Sequence, residues 1–387
     1  MNRLWSIFAQ VLQLVPRGEF QQAVRDTKAE RHARGFTCWG QYVAMLFCHL
    51  GRAESLREIC QGLAASEGKL MHLGVPRAPQ RSTLAYANEH RPWQLYEKVF
   101  YIMLGRCHQE AKGKTKFRFR NKLLCLDSTS IDLCAEVFDW ARYKRTKGAV
   151  KLHVLLDHEG CLPSFAVLTD GKSHDVTVGR TLRFKPGTIV AMDKGYVDYR
   201  WWKQMGEDGV FFVTRLKEDL KYEVTGKRPV PKIGSVRSDE EIRIKPYRED
   251  FELKLRVVKI WDEEKEREVS FLTNHLQFGA TTIARIYKER WQIELFFKSL
   301  KQLLQVKTFV GTSANALKTQ IWTALIAILL LKYLQLRARL KWSLSNLAAL
   351  IRQQLFVYRD LVALLNEPLQ APPVLAGAHD TQLLIEF

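Results

Sequence analysis

Two aspartates close short apolar runs that are typical of buried strands. Asp127 ends LLCLD (123–127) and Asp193 ends TIVAMD (188–193). Ligands of open α/β sheets bind outside the carboxyl ends of strands, so both carboxylates enter one crevice if these strands are neighbours. Two anions at close range need a cation or a proton between them. A pair of Mg²⁺ ions ~3.5–4 Å apart accepts carboxylate oxygens and can clamp both oxygens of a phosphodiester displacement.

A simpler interpretation of each aspartate has to be weighed beside this one. A strand-end Asp often only starts a turn or caps a helix. We expect that role for Asp157 in DHEG (157–160), at the turn of a predicted hairpin. His174 and Asp175 in DGKSHD (170–175) either lie near the site or only start a helix, and the helix start is favoured.

A third carboxylate lies in YKERWQIELFFKSLK (287–301). Taken as one helix, this stretch places its Tyr, Arg, the second Glu and the last Lys within about 60° of one another at ~100° per residue. The residues that share this stripe are Tyr287, Arg290, Glu294 and Lys301. The alternative is an ordinary surface ion pair, but Arg precedes Glu here, which is the weaker order. We therefore predict that this side of the helix is a functional site that binds a metal ion and a phosphate together.

Composition narrows the class of partner. The chain of 387 residues can form two or three domains, and 60 Lys and Arg against 41 Asp and Glu give a net charge of +19. Such a charge favours a polyanion, with nucleic acid as the first candidate and an anionic membrane surface as the competing one. The basic residues are spread along the chain without a polybasic tail. We therefore expect a nucleic-acid partner and no membrane.

The apolar and cysteine patterns indicate a cytoplasmic protein. Seven cysteines without a CxxC pair predict reduced core residues and no structural zinc site. The N-terminus lacks the features of a signal peptide. The most apolar run, IWTALIAILLL (321–331), is well short of the ~20 residues that cross a bilayer, and we predict a buried helix there.

Local patterns divide the chain into segments. Residues 1 to about 112 are predicted to be helical, with Ser55 as a helix cap. Arg77, Arg81 and Arg91 near a helix–turn–helix suit a DNA-reading module, and a helical bundle with solvated arginines is an equal alternative. The basic linker AKGKTKFRFRNK (111–122) is followed by strands with interspersed helices, and 217–275 alternates polar and apolar residues as antiparallel strands do. From about 279 onward the chain is predicted to be helical again.

The spacing Tyr-(2)-Arg-(3)-Glu-(6)-Lys resembles the signature of the IS-four type of bacterial insertion-sequence transposases. These belong to the DDE class and have a ribonuclease-H-like core. LLCLDSTSID and TIVAMDKGY are similar to the regions of the first and second family aspartates, and FLTNH (271–275) to the Leu-Thr-Asn run ahead of the signature helix. The leading stretch from FTCWG to YANEHR also resembles that of many members, so the resemblance covers nearly the whole chain.

The resemblance implies a role for each site residue. Asp127, Asp193 and Glu294 would be the catalytic ligands of two Mg²⁺ ions, with Mn²⁺ able to substitute. Tyr287, Arg290 and Lys301 would hold the phosphate beside the scissile bond, and Lys298 is a further DNA-binding candidate on a neighbouring face. Trp291 would stack on a displaced base, although core packing is the simpler role. The basic linker would track the DNA backbone, or be a solvated linker.

The implied fold is α/β, with a ribonuclease-H-like mixed-sheet core, a β-rich insertion, a helical N-terminal domain and a helical C-terminal segment. The expected boundaries are 1–112 for the DNA-binding domain, 113–216 and 276–340 for the two parts of the core, 217–275 for the insertion and 341–387 for the C-terminal segment. Because the interval from Asp193 to Glu294 is far longer than a strand and a helix require, an insertion is also expected on grounds of spacing.

The implied function is DNA transposition. The protein would bind the ends of its element as a homodimer, hydrolyse a phosphodiester and join the freed 3′-hydroxyl to target DNA. A ribonuclease-H-like nuclease without strand transfer, and a DNA-binding regulator or inactive relative, are the alternatives. The presence of all three carboxylates argues against an inactive relative.

Overall fold

The computed structural model describes residues 5–31, 33, 35–66, 68–113, 117, 119–134, 138–144, 147–230, 234–247, 249–304 and 309–369. Lys114, Lys116 and Arg118 of the basic linker lie outside these residues. The first part is helical, as predicted, with α1 (Ile7–Gln13), α2 (Arg17–Thr27), α3 (Cys38–Gly51), α4 (Leu56–Ala64), α5 (Arg81–His90) and α6 (Gln94–Ala111). Ser55 caps α4 by accepting a hydrogen bond from the Glu58 amide, which confirms its predicted role.

Arg91 does not belong to an exposed reading surface. Its guanidinium donates to the carbonyl oxygens of Thr37 and Phe36 and to the Gln41 side chain, and so ties the end of α5 to the start of α3. Arg77 and Arg81 are exposed. The predicted group of three arginines therefore separates into one structural residue and two exposed ones.

A large mixed sheet forms the centre of the molecule. Its strands in the described residues are β1 (Leu123–Cys134), β2 (Arg142–Lys144), β3 (Lys147–Asp157), β4 (Leu162–Asp170), β5 (Ile189–Met192), β6 (Phe211–Arg215), β7 (Glu223–Lys227), β8 (Val236–Ile244), β9 (Leu253–Asp262) and β10 (Arg267–Thr273). Their order is β2-β3-β1-β5-β6-β10-β9-β8-β7, and β4 also pairs with β3. β1, β5 and β6 run parallel, whereas β3 and β4 are antiparallel to their neighbours.

The predicted insertion is continuous with this sheet. β10 pairs with β6 in antiparallel fashion, so β7–β10 extend the sheet on the far side of β6. The FLTNH run makes the joint: Thr273 Oγ1 donates to the Phe212 carbonyl at 2.6 Å, and the Asn274 side chain bonds the backbone of Phe212 and Val210 at 2.8 and 2.9 Å. These side chains replace ladder bonds where β10 ends, which anchors the insertion to the central strands.

Two short helices, α7 (Asp175–Gly179) and α8 (Tyr199–Glu207), connect the central strands, and in the described part of the chain five helices follow the sheet. These are α9 (Ala280–Glu289), α10 (Trp291–Leu304), α11 (Ala314–Arg337), α12 (Leu344–Gln353) and α13 (Leu361–Asn366). One apolar core extends from Ile7 in α1 to Leu365 in α13 and joins the helical segments to one face of the sheet. The domain boundaries predicted within this continuous packing stay a prediction.

The apolar run 321–331 lies within α11, which is longer than the run itself. By length and composition, this helix of 24 residues could cross a membrane. The apolar run of eleven residues within it was too short to indicate this. However, 83% of its apolar window is buried inside the fold, where it packs on α3 and α6. It is the core helix that the sequence predicts.

The stretch 287–301 is not one helix. α9 ends at Glu289 and α10 begins at Trp291, with tighter turns on both sides of Arg290: its amide donates to the Tyr287 carbonyl, and its carbonyl accepts from the Ile293 amide. α9 packs on β6, β9 and β10, whereas α10 packs on β1, α3 and α11. Because the two halves cover different surfaces, the chain changes direction at Arg290.

Candidate active site

The two aspartates are neighbours across a parallel strand pair. β1 and β5 pair in register up to Leu126 and Met192, so that Asp127 and Asp193 are the next residue on each strand. β5 ends there, but β1 continues to Cys134 along β3. The prediction that a strand ends at Asp127 is therefore wrong, because β3 supplies hydrogen bonds for seven further residues after β5 has ended. The prediction that the Asp127 and Asp193 carboxylates face one crevice is confirmed.

Asp157, which also ends a strand, has the simpler role of forming a turn. Asp157 Oδ1 accepts from the Glu159 amide at 3.0 Å and forms the turn between β3 and β4, as expected. The structure thus separates this turn-forming carboxylate from the pair at the end of β5.

Arg290 joins two of the candidate carboxylates. Its Nη1 donates to Asp127 Oδ2 at 2.9 Å, and its Nη2 donates to Glu294 Oε1 at 2.6 Å. The i,i+4 ion pair that the order of charges argued against is therefore present. It forms because Arg290 occupies the bend between α9 and α10, where its side chain reaches both β1 and the first turn of α10.

An open cavity of about 900 Å³ lies above this group. Its walls include Asp127, Asp193 and Glu294 together with Arg290, Lys298 and Lys301. The structure thus brings the three predicted carboxylates and three predicted cations to one cavity. Lys298, which was predicted on a neighbouring face of the helix, lines the same cavity as Lys301. Both faces of α10 therefore border the cavity.

Burial and neighbouring charges alter the acidity of this group. Burial raises the pKa of Asp127 to about 6, against the opposing effects of Arg290 and the Ser128 amide, and Asp193 and Glu294 add to the rise. Burial also lowers the pKa of the Arg290 guanidinium, but Tyr287, Asp127 and Glu294 raise it by more, so that the net pKa lies above its usual range. The three candidate carboxylates carry more negative charge than Arg290 alone compensates for, while Lys298 and Lys301 lie on the same cavity wall.

Tyr287 and Trp291 do not line the cavity. Tyr287 lies half-buried on α9, where its ring packs on Phe271 and under the Arg290 guanidinium, at 4.9 and 5.3 Å between centres. The predicted common stripe therefore lacks Tyr287, because the bend at Arg290 turns α9 away. Trp291 is 55% exposed, so the core-packing alternative for it is wrong.

Asp175 adjoins the site, a position that the sequence had left open although a helix start was favoured. It begins α7 and accepts a hydrogen bond from Ser128, the residue that follows Asp127. The cavity wall also includes Ser128, Ser130 and Asp132 from the extended part of β1. The polar run DSTSID was the available signal, because a strand that changes from apolar to polar residues is no longer buried on both faces.

The donor set suits a hard divalent cation. Three carboxylates face one cavity, and oxygen ligands with excess negative charge favour Mg²⁺ or Mn²⁺ over softer metals. Within the described ranges no three carboxylate, histidine or thiol groups converge on a common metal position. Arg290 lies between Asp127 and Glu294 and forms an ion pair with each.

Comparisons with known proteins identify the class. Residues 118–330 match the family described as Transposase DDE domain, and residues 5–76 match a domain of unknown function (DUF4372). Since the first match covers more than half of the chain, the protein belongs to the DDE transposases of bacterial insertion sequences. It is a DNA transposase, an enzyme of a class that depends on divalent metal ions.

Particular relatives support this assignment. The chain is 30% identical over 310 residues to a Sinorhizobium fredii protein named as transposase y4zB. The aligned region covers 79% of this chain and 84% of the relative. It is 29% identical over 272 residues to a Geobacillus stearothermophilus protein named as a transposase for insertion sequence element IS5377, covering 67% and 68%. A cryo-EM structure of a piggyBac transposase synaptic complex with hairpin DNA overlaps 90% of this chain and 79% of that one. Its TM-score of 0.45 and identity of 11% are too low to define the fold.

Proposed function

We propose that Asp127, Asp193 and Glu294 bind two Mg²⁺ ions, which Mn²⁺ can replace, and that this site cleaves the ends of the element and joins them to target DNA. The observation that carries the proposal is the register of β1 and β5, which places Asp127 beside Asp193, together with the Arg290 bridge from Asp127 to Glu294. When bound, such ions activate water and stabilise the attacking and leaving oxygens of a phosphodiester.

The protein's own residues hold the DNA strand. Arg290 releases its carboxylates and donates both Nη groups to the scissile phosphate, a geometry for which a planar guanidinium is suited. Lys298 and Lys301 contact neighbouring phosphates from the exposed side of α10. Such contacts position the strand without reading its sequence. Tyr287 supports the Arg290 guanidinium from below, and exposed Trp291 stacks on an unpaired base.

The wider assignment follows from the same site. The freed 3′-hydroxyl of a cleaved end attacks target DNA at the same carboxylates, which is cut-and-paste transposition, with the two ends held by a homodimer in the cytoplasm. The core is ribonuclease-H-like and comprises β1, β3–β6, α9 and α10. Mixed pairing of these strands, with the carboxylates where the parallel pair β1–β5 ends, supports this proposal.

The test uses DNA that carries the inverted repeats flanking the gene. With Mg²⁺, the wild-type protein is expected to nick these ends and to join them to a target plasmid. Asp127→Asn, Asp193→Asn and Glu294→Gln are each expected to lower the cleavage rate by more than about 10³-fold, since each removes a charge from the metal site. Mn²⁺ binding, measured by electron paramagnetic resonance, should weaken in parallel.

Glu264→Gln is the matched control, since Glu264 lies on an exposed turn of the insertion. It should cleave as the wild type does. Retained cleavage in one carboxylate variant would remove that residue from the metal site. Cleavage without joining would favour the nuclease alternative, in which the site hydrolyses DNA but does not transfer strands.

A further inference from the structure

Asp175 lies on the opposite face of the central sheet from α10. Leu126 and Met192 belong to the apolar cluster under α8, whereas Cys125 and Ala191 belong to the core on the α10 side. Side chains alternate along a strand, so Ser128 shares the α8 face with Leu126 and Asp127 points to the α10 face. Asp175 contacts Ser128 and therefore lies on the α8 side of β1, whereas Asp127 lies on the α10 side.

One oxygen of Asp175 is tied to β1. Its Oδ1 accepts from Ser128 Oγ at 2.6 Å and from Lys151 Nζ at 3.1 Å. Lys151 also donates to the Ser173 carbonyl at 2.9 Å, which fixes the ammonium group in place. The Ser128 amide in turn donates to Asp127 Oδ1 at 2.8 Å. A chain of hydrogen bonds thus runs from Asp175 through Ser128 to the first candidate carboxylate.

The other oxygen of Asp175 lies against the turn that carries Asp193. A Cβ atom on Gly195 would be 3.5 Å from Asp175 Oδ2 and 3.8 Å from Asp193 Oδ2. The Gly195 amide donates to Asp193 Oδ2 at 3.3 Å. The Asp175 carboxylate therefore contacts the segment that follows Asp127 and the segment that follows Asp193.

We propose that Asp175 is a positioning residue that sets the separation and orientation of Asp127 and Asp193 for metal binding. The inference rests on the proposed roles of those two carboxylates. Oδ1 of Asp175 is already bonded to the Lys151 ammonium and to the Ser128 hydroxyl, and Asp175 does not line the cavity, so it acts through its neighbours and not as a metal ligand. Hydrogen-bonding residues behind metal ligands typically change metal affinity by roughly 10–100-fold when they are replaced.

His153 also faces this carboxylate, with its Nδ1 3.7 Å from Asp175 Oδ1. Burial lowers the pKa of His153 to about 4, against the opposing effect of Asp175. The imidazole is therefore neutral near pH 7, and Lys151 is the cation of this group. Lys151→Met should for this reason act in the same direction as a change of Asp175.

The experiment compares Asp175→Asn and Ser128→Ala with Asp170→Asn. Asp170 accepts from the amide and hydroxyl of Ser173 at 2.9 and 2.6 Å, so it stabilises the same loop. Its described contacts do not include Ser128 or Gly195. Asp170→Asn therefore controls for loosening of the loop alone.

Three quantities are measured for each variant with Mn²⁺ as the probe. They are the Mn²⁺ affinity of the DNA-free protein by electron paramagnetic resonance, the Mn²⁺ concentration that gives half the maximal single-turnover cleavage rate, and the melting temperature. Asp175→Asn is expected to weaken both metal quantities about tenfold and to recover most of the rate at saturating Mn²⁺, while Ser128→Ala weakens both about threefold. Asp170→Asn should leave both metal quantities at the wild-type values.

Two results would overturn the inference. If Asp175→Asn lowers only the melting temperature, with metal quantities like those of Asp170→Asn, Asp175 is structural. If Asp175→Asn stays inactive at every Mn²⁺ concentration, as Asp127→Asn should, Asp175 is a metal ligand. Failure of the proposed function is a separate result, because the wild-type protein would then neither bind Mn²⁺ at Asp127 nor cleave end DNA.

Discussion

Arg256 and Arg290 both form ion pairs with carboxylates, and they differ in how completely their guanidinium groups are hydrogen-bonded. Arg256, in the insertion, is 1% exposed and makes a bidentate pair with Asp239 at 2.7 and 2.6 Å. Its Nη1 donates to the carbonyls of His275 and Phe278. Arg290 instead divides its two Nη groups between Asp127 and Glu294, and its buried Nε has no hydrogen-bond acceptor among the described residues.

This difference separates a structural ion pair from an exchangeable one. All the groups around Arg256 are buried and matched, so no ligand can replace a bond without leaving a buried charge unpaired. Arg290 faces an open cavity, and its carboxylates are 18% and 35% exposed. A metal ion can take over the carboxylates and a phosphate can take over the guanidinium, so the exchange leaves no charge unpaired.

The largest effect on stability is expected from Arg256→Met. Removing the guanidinium leaves Asp239 buried without its cation, and breaking such a pair lowers the free energy of unfolding by roughly 3–5 kcal/mol. Urea denaturation and the melting temperature measure the loss. The double variant Arg256→Met/Asp239→Leu should recover most of it, since both charges are then gone. A loss below about 1 kcal/mol in the single variant would contradict the structural role.

A smaller change in stability, with a large change in activity, is expected from Arg290→Met. The unfolding free energy should change by less than about 1 kcal/mol, because the pair is partly exposed to water. The rate of end cleavage should fall about 10²-fold, as for the loss of one fixed donor to a reacting group. Mn²⁺ binding to the DNA-free protein should not weaken, since the metal no longer competes with the guanidinium. Weakened Mn²⁺ binding would make Arg290 a structural residue like Arg256.

The smallest effect is expected from Tyr287→Phe. The Tyr287 hydroxyl is buried without a hydrogen-bond partner of good geometry among the described residues. Its removal should leave stability unchanged or raise it slightly, because an unpaired buried hydroxyl costs about 1–3 kcal/mol. The ring contact with Phe271 is kept. Cleavage should fall less than in Arg290→Met, and an unchanged rate would limit the role of Tyr287 to the ring that supports Arg290.

Much of the site could be predicted from local patterns. Apolar runs that end in Asp127 and Asp193 indicated two buried strands, and helical spacing placed Glu294 and Lys301 on one side of what is now α10. These features depend on residues close together in the chain, where the periods of strand and helix apply directly. The turn at Asp157 and the cap at Ser55 were predicted for the same reason.

The features that local patterns did not show arise where distant segments meet. β1 continues past Asp127 because β3 pairs with it, and the insertion joins the sheet because β10 pairs with β6. The bend at Arg290 follows from the different surfaces under α9 and α10. Neither partner strands nor packing surfaces are visible in a short stretch of sequence.

The sequence by itself determined which side chains could do the chemistry: carboxylates after apolar strands, and cations at helical spacing from a third carboxylate. Only the tertiary structure decided how their charges are distributed. In the folded chain, Arg290 bonds Asp127 and Glu294, Tyr287 lies outside the cavity, and Asp175 bonds Ser128. Hydrogen bonds of about 3 Å depend on the relative positions of segments far apart in the chain, and those positions are set by strand pairing and core packing.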